Sequence, residues 1–307
     1  MKYLNLIRYK NLIMIALMQL IVLYGFLKLK DIDLALTIWQ YLLLILSTVS
    51  IAAGGYIINN IFDQNTDLEN KPNNVIVGKS ISEGLAYNLY VGFTLTGVCI
   101  GFYLSHVILK PNFLLFFIIP SALLYIYATS LKQIMIIGNV IVALMLSFSI
   151  LIVGIFMVFP AMDEQSKVQY TTLLSILLDF AIIAFVINFL REIVKDLEDI
   201  NGDYNQGMQT LPIIIGVSRT SKIVFGLSFI PIIMILYYVY YNLFELLYAT
   251  LYILGFIIGP LLYFTNKIWS AKTKKDFHHL SNVLKLVIFF GIISIAVIGI
   301  NMKYHVA

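Results

Sequence analysis

The sequence predicts an all-α membrane protein, a bundle of about nine transmembrane helices, and three observations predict it. Of 307 residues, 61% are hydrophobic and only 12% are charged, where a soluble domain carries roughly 45–50% and about 25%. A soluble core of this size needs far more polar residues to cover it. That composition excludes a soluble globular enzyme, a disordered chain and a nucleic-acid binder, and a single cysteine, Cys99, excludes a disulfide scaffold. The second observation is a recurrence of long apolar stretches. The third is the uneven placement of Lys and Arg.

A bilayer core of about 30 Å needs roughly 20 apolar residues per helix. Stretches of that kind lie near 11–28, 37–60, 85–108, 112–131, 134–160, 171–192, 221–241, 244–265 and 283–302. The first follows a basic segment, Met1 to Lys10, and so resembles a signal peptide. No small-residue cleavage pattern follows it, and the apolar run continues through Met18–Leu27, so it is read as a retained span. Lys110-Pro111-Asn112 parts the third and fourth spans as a tight turn. Pro120, Pro231 and Pro260 fall inside spans and are expected to kink them, which membrane helices tolerate. Cys99 sits in an apolar run and is expected to be a buried, inert thiol. No alternating polarity of a β-barrel appears. Residues 1–307 read as one transmembrane domain, with the polar stretches 61–84 and 193–220 as its motif-bearing loops.

Cytoplasmic loops of membrane proteins are enriched in Lys and Arg. With nine spans and a cytoplasmic N-terminus, only Lys28, Lys30, Lys110, Lys167 and Lys303 of the 20 basic residues fall on the outer side. The three-to-one bias supports the span count and the orientation together. It predicts an integral membrane protein, in the plasma membrane of a prokaryote, with the acidic segments on the cytoplasmic side.

Two such segments hold nine of the 16 acids. In the first, Asn59, Asp63 and Asp67 recur every four residues at the end of the second span. If the helix continues, all three point the same way, and the two like charges need a cation to offset them. Oxygen-only ligands favour a hard cation such as Mg²⁺, which keeps several waters and commonly bridges to phosphate. A calcium loop starting at Asp63 fails, because its sixth position is Leu68 and its twelfth is Asn74. In the second segment, after the sixth span, Glu192, Asp196, Asp199 and Asp203 form one helical stripe, with Arg191 and Lys195 beside it. Either segment alone reads equally well as a solvated helix end. Both together, in a chain so poor in charge, describe a carboxylate basin at the mouth of an apolar bundle. Such a basin suits two or more Mg²⁺ ions and a diphosphate carrying a long apolar tail, that is, a polyprenyl diphosphate. Other polar groups have blander readings: Asp179 as structural, His278 and His279 as solvated, and Lys272, Lys274 and Lys275 as topology signals.

The chain resembles the UbiA superfamily of intramembrane aromatic and lipid prenyltransferases. The resemblance rests on Asn59-x-x-x-Asp63-x-x-x-Asp67 and on Asp199-x-x-x-Asp203, with weaker matches at Arg8 and Asn11 and at Tyr127 through Lys132 to Gly138-Asn139. The run from Arg191 through Asp203 to Thr210-Leu211-Pro212 looks most like the branch containing digeranylgeranylglyceryl phosphate synthases. The family's usual arginine after Asn70-Lys71-Pro72 is absent; Lys79 or Lys71 is the nearest substitute, as a point charge instead of a bidentate fork.

The resemblance implies Mg²⁺-dependent transfer of a polyprenyl group from its diphosphate to a lipophilic acceptor, a glycerol-phosphate lipid such as geranylgeranylglyceryl phosphate. It implies Asn59, Asp63, Asp67, Asp199 and Asp203 as metal ligands, and Lys132, Arg191 and Lys195 as catalytic cations. Arg8, Asn11, Lys79, Tyr127, Glu192 and Asp196 are the substrate-binding candidates. The implied partners are donor, acceptor and bilayer, with no nucleic acid and no protein. Two alternatives stand beside this reading: an aromatic quinone precursor as acceptor, and, outside the class, a cation-coupled transporter.

Overall fold

Among the residues described by the computed structural model (1–30, 32–70, 72 and 75–304), nine helices are long and apolar enough to cross a bilayer. They are α1 (Tyr9–Lys30), α2 (Ile38–Phe62), α3 (Glu83–Val107), α4 (Pro111–Thr129), α5 (Ile137–Ala161), α6 (Lys167–Asn205), α7 (Val217–Leu243), α8 (Leu247–Ile268) and α9 (Lys274–Tyr304). All nine overlap the expected stretches. With no water in the hydrocarbon, each segment satisfies its backbone internally, which is why apolar runs of this length become helices. Their starts carry local signals. Thr37 and Gln40 form a reciprocal capping box at α2, and Ser82 accepts from the Leu85 N–H at α3. Pro120 and Pro231 lie inside helices, and Pro260 follows a π-helical turn, Leu254–Ile258, where the regular bonding ladder is already broken.

Helix α6 is 39 residues long, about 58 Å at 1.5 Å per residue, nearly twice a bilayer core. It packs against α5, α7 and α9 and is the central strut of the bundle. Small residues bring other helices into close contact, as membrane packing favours. A Cβ on Gly97 of α3 would lie 2.5 Å from Ile51 of α2, and the Ser47 hydroxyl donates to the Gly97 carbonyl at 2.7 Å. One large apolar cluster, with Val22, Phe26, Tyr41, Leu44 and Phe156 at most 1% exposed, fills the end of the bundle remote from the acidic segments.

Three expectations change. Cys99 is exposed on α3, among outward apolar side chains such as Leu95 and Phe102, because the lipid-facing surface of a membrane helix is as apolar as its core. The stretches 61–84 and 193–220 are not simply loops: they contain the helices Gln64–Asn70 and Leu211–Ile215 and the end of α6, which carries the whole second acidic stripe. Lys71 lies outside the described residues.

Candidate active site

The first acidic segment is bent instead of running on as one helix. Helix α2 ends at Phe62, Asp63 caps it at φ −90°, and the helix Gln64–Asn70 follows. Backbone bonds from Asp63 N–H to Asn59 and from Asp67 N–H to Asp63, both 2.8 Å, keep the four-residue spacing through the bend. The Asn59 amide donates to one oxygen of the Asp63 carboxylate, and the Lys132 ammonium pairs with the other. Lys132 thus supplies the offsetting cation that the spacing of like charges demanded. It sits in the 3₁₀ turn Leu131–Gln133 between α4 and α5, and Gly138 admits that turn: a Cβ there would lie 3.0 Å from the Lys132 Cα.

The second segment is one face of α6. Glu192 accepts from Lys195 Nζ at 2.6 Å and Arg191 Nη1 at 3.3 Å, so the two cations share one buried carboxylate. Asp196 accepts from the Asn139 amide of α5 at 2.8 Å. His278 of α9, expected to be merely solvated, is exposed yet hydrogen-bonded to the buried Glu198 at 3.0 Å, because the start of α9 packs against the end of α6.

A clasp that the sequence reading missed joins the two segments. The Asn70 side chain donates to the Asp199 carbonyl at 2.9 Å and accepts from the Gly202 N–H at 3.0 Å, while Lys274 of α9 donates to the Asn70 carbonyl at 2.8 Å. A Cβ on Gly202 would stand 2.5 to 2.8 Å from the Asn70 amide atoms, so only glycine leaves room. The available signal was a glycine inside an acidic helix, where glycine is otherwise unfavourable.

Behind the clasp lies a cavity of about 300 Å³. Its polar end is formed by Arg8, Asn11, Tyr56, Asn59, Tyr127, Arg191, Glu192, Lys195 and Lys285, and the rest of the wall is largely apolar. Arg8 stands over the Tyr56 ring at 5.3 Å, and Lys285 donates to Asn11 at 3.4 Å. Seven of the expected residues therefore meet in one cavity. Asp63 is bonded to the lining Asn59 and to Lys132, whereas Asp67, Asp196, Asp199 and Asp203 do not line it. Lys79 also lies away from it, exposed and donating to the Pro72 carbonyl at 3.1 Å. Tyr56 and Lys285 are lining residues that the sequence reading did not single out.

Among the described residues, no three His, Cys, Asp or Glu side chains converge as a ready-made metal cage. The donor chemistry nevertheless fits a hard cation shared with a phosphate ligand. Asn59 Oδ1 is buried, beside the Asp63 carboxylate, with no hydrogen-bond partner, and the buried Arg191 Nε likewise has none. An unmet oxygen acceptor and an unmet N–H donor thus belong to two residues of one polar chamber.

Residues 16–297 match the UbiA prenyltransferase family. The chain belongs to this family. It is a prenyltransferase and an integral membrane protein, which removes the transporter alternative. Among curated relatives of this UbiA-family enzyme, the digeranylgeranylglyceryl phosphate synthase of Korarchaeum cryptofilum is 30% identical over 242 residues, covering 78% of each chain. That of Methanosphaera stadtmanae is 31% identical over 251 residues, covering 81% of this chain and 84% of its own. The fold is shared with a solved structure of a UbiA homolog from Archaeoglobus fulgidus bound to DMAPP and Mg²⁺ (TM-score 0.63, 17% identity, 96% of this chain and 99% of that one). It is shared also with a structure bearing on digeranylgeranylglyceryl phosphate synthase in membranes (TM-score 0.66, 22% identity, 97% of both chains).

Proposed function

We propose that this enzyme transfers a polyprenyl group from a polyprenyl diphosphate to a glycerol-phosphate lipid such as geranylgeranylglyceryl phosphate, with Mg²⁺, at the cytoplasmic face of a prokaryotic plasma membrane. The observation that carries the reading is the continuity of a cationic mouth with an apolar cavity in one chamber. The names of the relatives and the excess of Lys and Arg at the acidic end support it. On this reading the chain acts as one catalytic domain.

Asn59, Asp63 and Asp67 from one side, with Asp199 and Asp203 from the other, would hold Mg²⁺, whose bound charge would stabilise the departing diphosphate. Lys132, Arg191 and Lys195 take up diphosphate oxygens, and Arg8 and Asn11 close the mouth with Tyr127. As the allylic C–O bond breaks, its electron pair leaves with the diphosphate. The acceptor hydroxyl oxygen bonds to the allylic carbon and gives up its proton, for which Glu192 at the wall, or Asp196 behind it, is the carboxylate at hand. The apolar wall keeps water from the cation, and its aromatic faces stabilise it. Lys79 has no role at this chamber.

The test incubates purified enzyme with Mg²⁺, radiolabelled geranylgeranyl diphosphate and either a glycerol-phosphate lipid or an aromatic quinone precursor. Label is expected in the glycerol-phosphate lipid, lost with EDTA and restored by Mg²⁺. Label only in the aromatic acceptor would reassign the acceptor, and label in neither would overturn the proposal. Lys132→Met is expected to slow transfer about 10²-fold, the effect of removing one preorganised charge from a leaving group. Steady-state turnover at saturating donor checks this.

A further inference from the structure

Among the described residues, two cations of the chamber pair with no carboxylate. Lys195 and Arg191 share Glu192, and Lys132 pairs with Asp63. Arg8 and Lys285 line the cavity as well, but neither forms an ion pair. Arg8 lies over the Tyr56 ring, and Lys285 makes one long bond, 3.4 Å, to the Asn11 side-chain oxygen. The charges that act on Lys285, those of Arg191 and Lys10, have its own sign. An ammonium has three donors, and a charge within a membrane bundle is costly without a counter-charge. Beyond Lys285, α9 lines the cavity with Val287, Ile288, Gly291 and Ile292, so Lys285 is the last charge before the apolar wall.

Strained backbone places Arg8. Its φ is +50°, in the left-handed region that residues other than glycine rarely adopt. The Asn60 amide holds the preceding turn by donating to the Leu6 carbonyl at 3.0 Å. Such strain persists only where surrounding contacts impose it, and it gathers at ligand sites. Arg8 caps α1, Asn11 lies on the first turn of that helix, and Lys285 reaches Asn11 from α9. The three form one cluster between α1 and α9, whereas Lys132 stands in the turn between α4 and α5.

The proposed reaction brings two anionic headgroups to the chamber, a diphosphate and a phosphate monoester. We infer that Arg8 and Lys285, with Asn11 between them, bind the phosphate of the acceptor, and that Lys285 selects a phosphate-bearing acceptor over an uncharged one. A phosphate monoester carries about −1.5 to −2 charges at neutral pH, which two cations match. Arg8 supplies a planar fork and Lys285 a compact point charge. In geranylgeranylglyceryl phosphate the free hydroxyl is on the carbon next to the one bearing the phosphate. Holding the phosphate therefore keeps that hydroxyl at the polar end, where the charge of Arg8 also acts on Glu192, the carboxylate proposed to take its proton. The inference rests on the proposed glycerol-phosphate acceptor and names the residues that recognise it.

The test compares geranylgeranylglyceryl phosphate with the same lipid lacking its phosphate, in wild-type, Lys285→Gln and Lys285→Arg enzymes. Thermal stabilisation is measured beside transfer, for each lipid without donor and for geranylgeranyl thiolodiphosphate with Mg²⁺ without acceptor. Wild-type enzyme is expected to prefer the phosphate lipid. Lys285→Gln keeps a polar partner for Asn11 but loses the charge. It should raise the KM for the phosphate lipid about 10- to 100-fold, as loss of a charge-assisted bond implies. Its kcat, its use of the uncharged lipid and its stabilisation by the donor analogue should stay close to wild type, and Lys285→Arg should restore most of the affinity. Should Lys285→Gln fail to fold, Asn11→Asp tests the same charge: it gives Lys285 a carboxylate, so the acceptor KM should rise while Tm does not fall. Equal use of both lipids by wild type, an unchanged acceptor KM in Lys285→Gln, or an equal loss for both lipids would overturn the inference. Stabilisation by the phosphate lipid that Lys285→Gln weakens, without transfer by wild type, would support the phosphate site and refute the proposed reaction alone.

Discussion

Asp63→Asn is expected to lower the rate of prenyl transfer about 10²–10³-fold, the range seen when one element of transition-state charge stabilisation is removed, while the helical bundle stays folded. Asp63 stands where the first segment bends, with Asn59 on one oxygen and Lys132 on the other. The asparagine keeps the shape and one acceptor oxygen but not the charge. Asp63→Ala tests something different. The Lys132 and Asp63 side chains are 9% and 16% exposed, and removing one partner of a buried pair destabilises by about 3–5 kcal/mol. Alanine should therefore lower Tm clearly and asparagine much less, with similar loss of transfer. Asp199→Ala, on the unbent helix, should match the kinetic loss. Near wild-type turnover in Asp63→Asn or Asp199→Ala would remove that residue from the metal set.

The second large effect is expected at Gly202, where two physical rules give opposite signs. In a helix interior, alanine for glycine stabilises by about 1 kcal/mol. Here the new Cβ would press within 2.5 to 2.8 Å of the Asn70 amide and push apart the clasp between the acidic segments. The steric term wins, so Gly202→Ala is expected to lower Tm and cut transfer at least tenfold. Asn70→Ala alone loses two hydrogen bonds, each contributing about 1 kcal/mol. In the Asn70→Ala background the obstruction is gone, and Gly202→Ala should turn neutral or stabilising. A double-mutant cycle on Tm and transfer reads that sign change. Additive effects would show that the clasp does not couple the segments.

The spans and the acidic motifs were legible because both are periodic: apolar length marks a membrane helix, and four-residue spacing marks one face. Arg8, Asn11, Asn59, Tyr127, Arg191, Glu192 and Lys195, from four different helices and their ends, do share a chamber. Three things were not legible. Asn70 and Gly202 are 132 positions apart, and no periodicity connects them. Lys285 is a lone lysine at the start of an apolar run, whose use depends on which helices pack beside it. Cys99 was misread because sequence alone cannot separate an apolar face that meets lipid from one that meets protein.

The bend at Asp63 divides the labour between the two acidic segments. Helix α6 carries its carboxylates as a rigid extension of a membrane-anchored rod, so their positions are set before any substrate arrives. The opposing carboxylates ride on a seven-residue helix that follows the bend at Asp63 and is held to α6 and α9 by Asn70, by Lys274 and by the Asn205 amide donating to Glu69 at 2.7 Å. The two acidic segments thus differ in support, one a short helix after a bend and the other the end of a continuous 39-residue helix. On the proposed function, the first would set the grip on the headgroup against carboxylates that the second holds in fixed register.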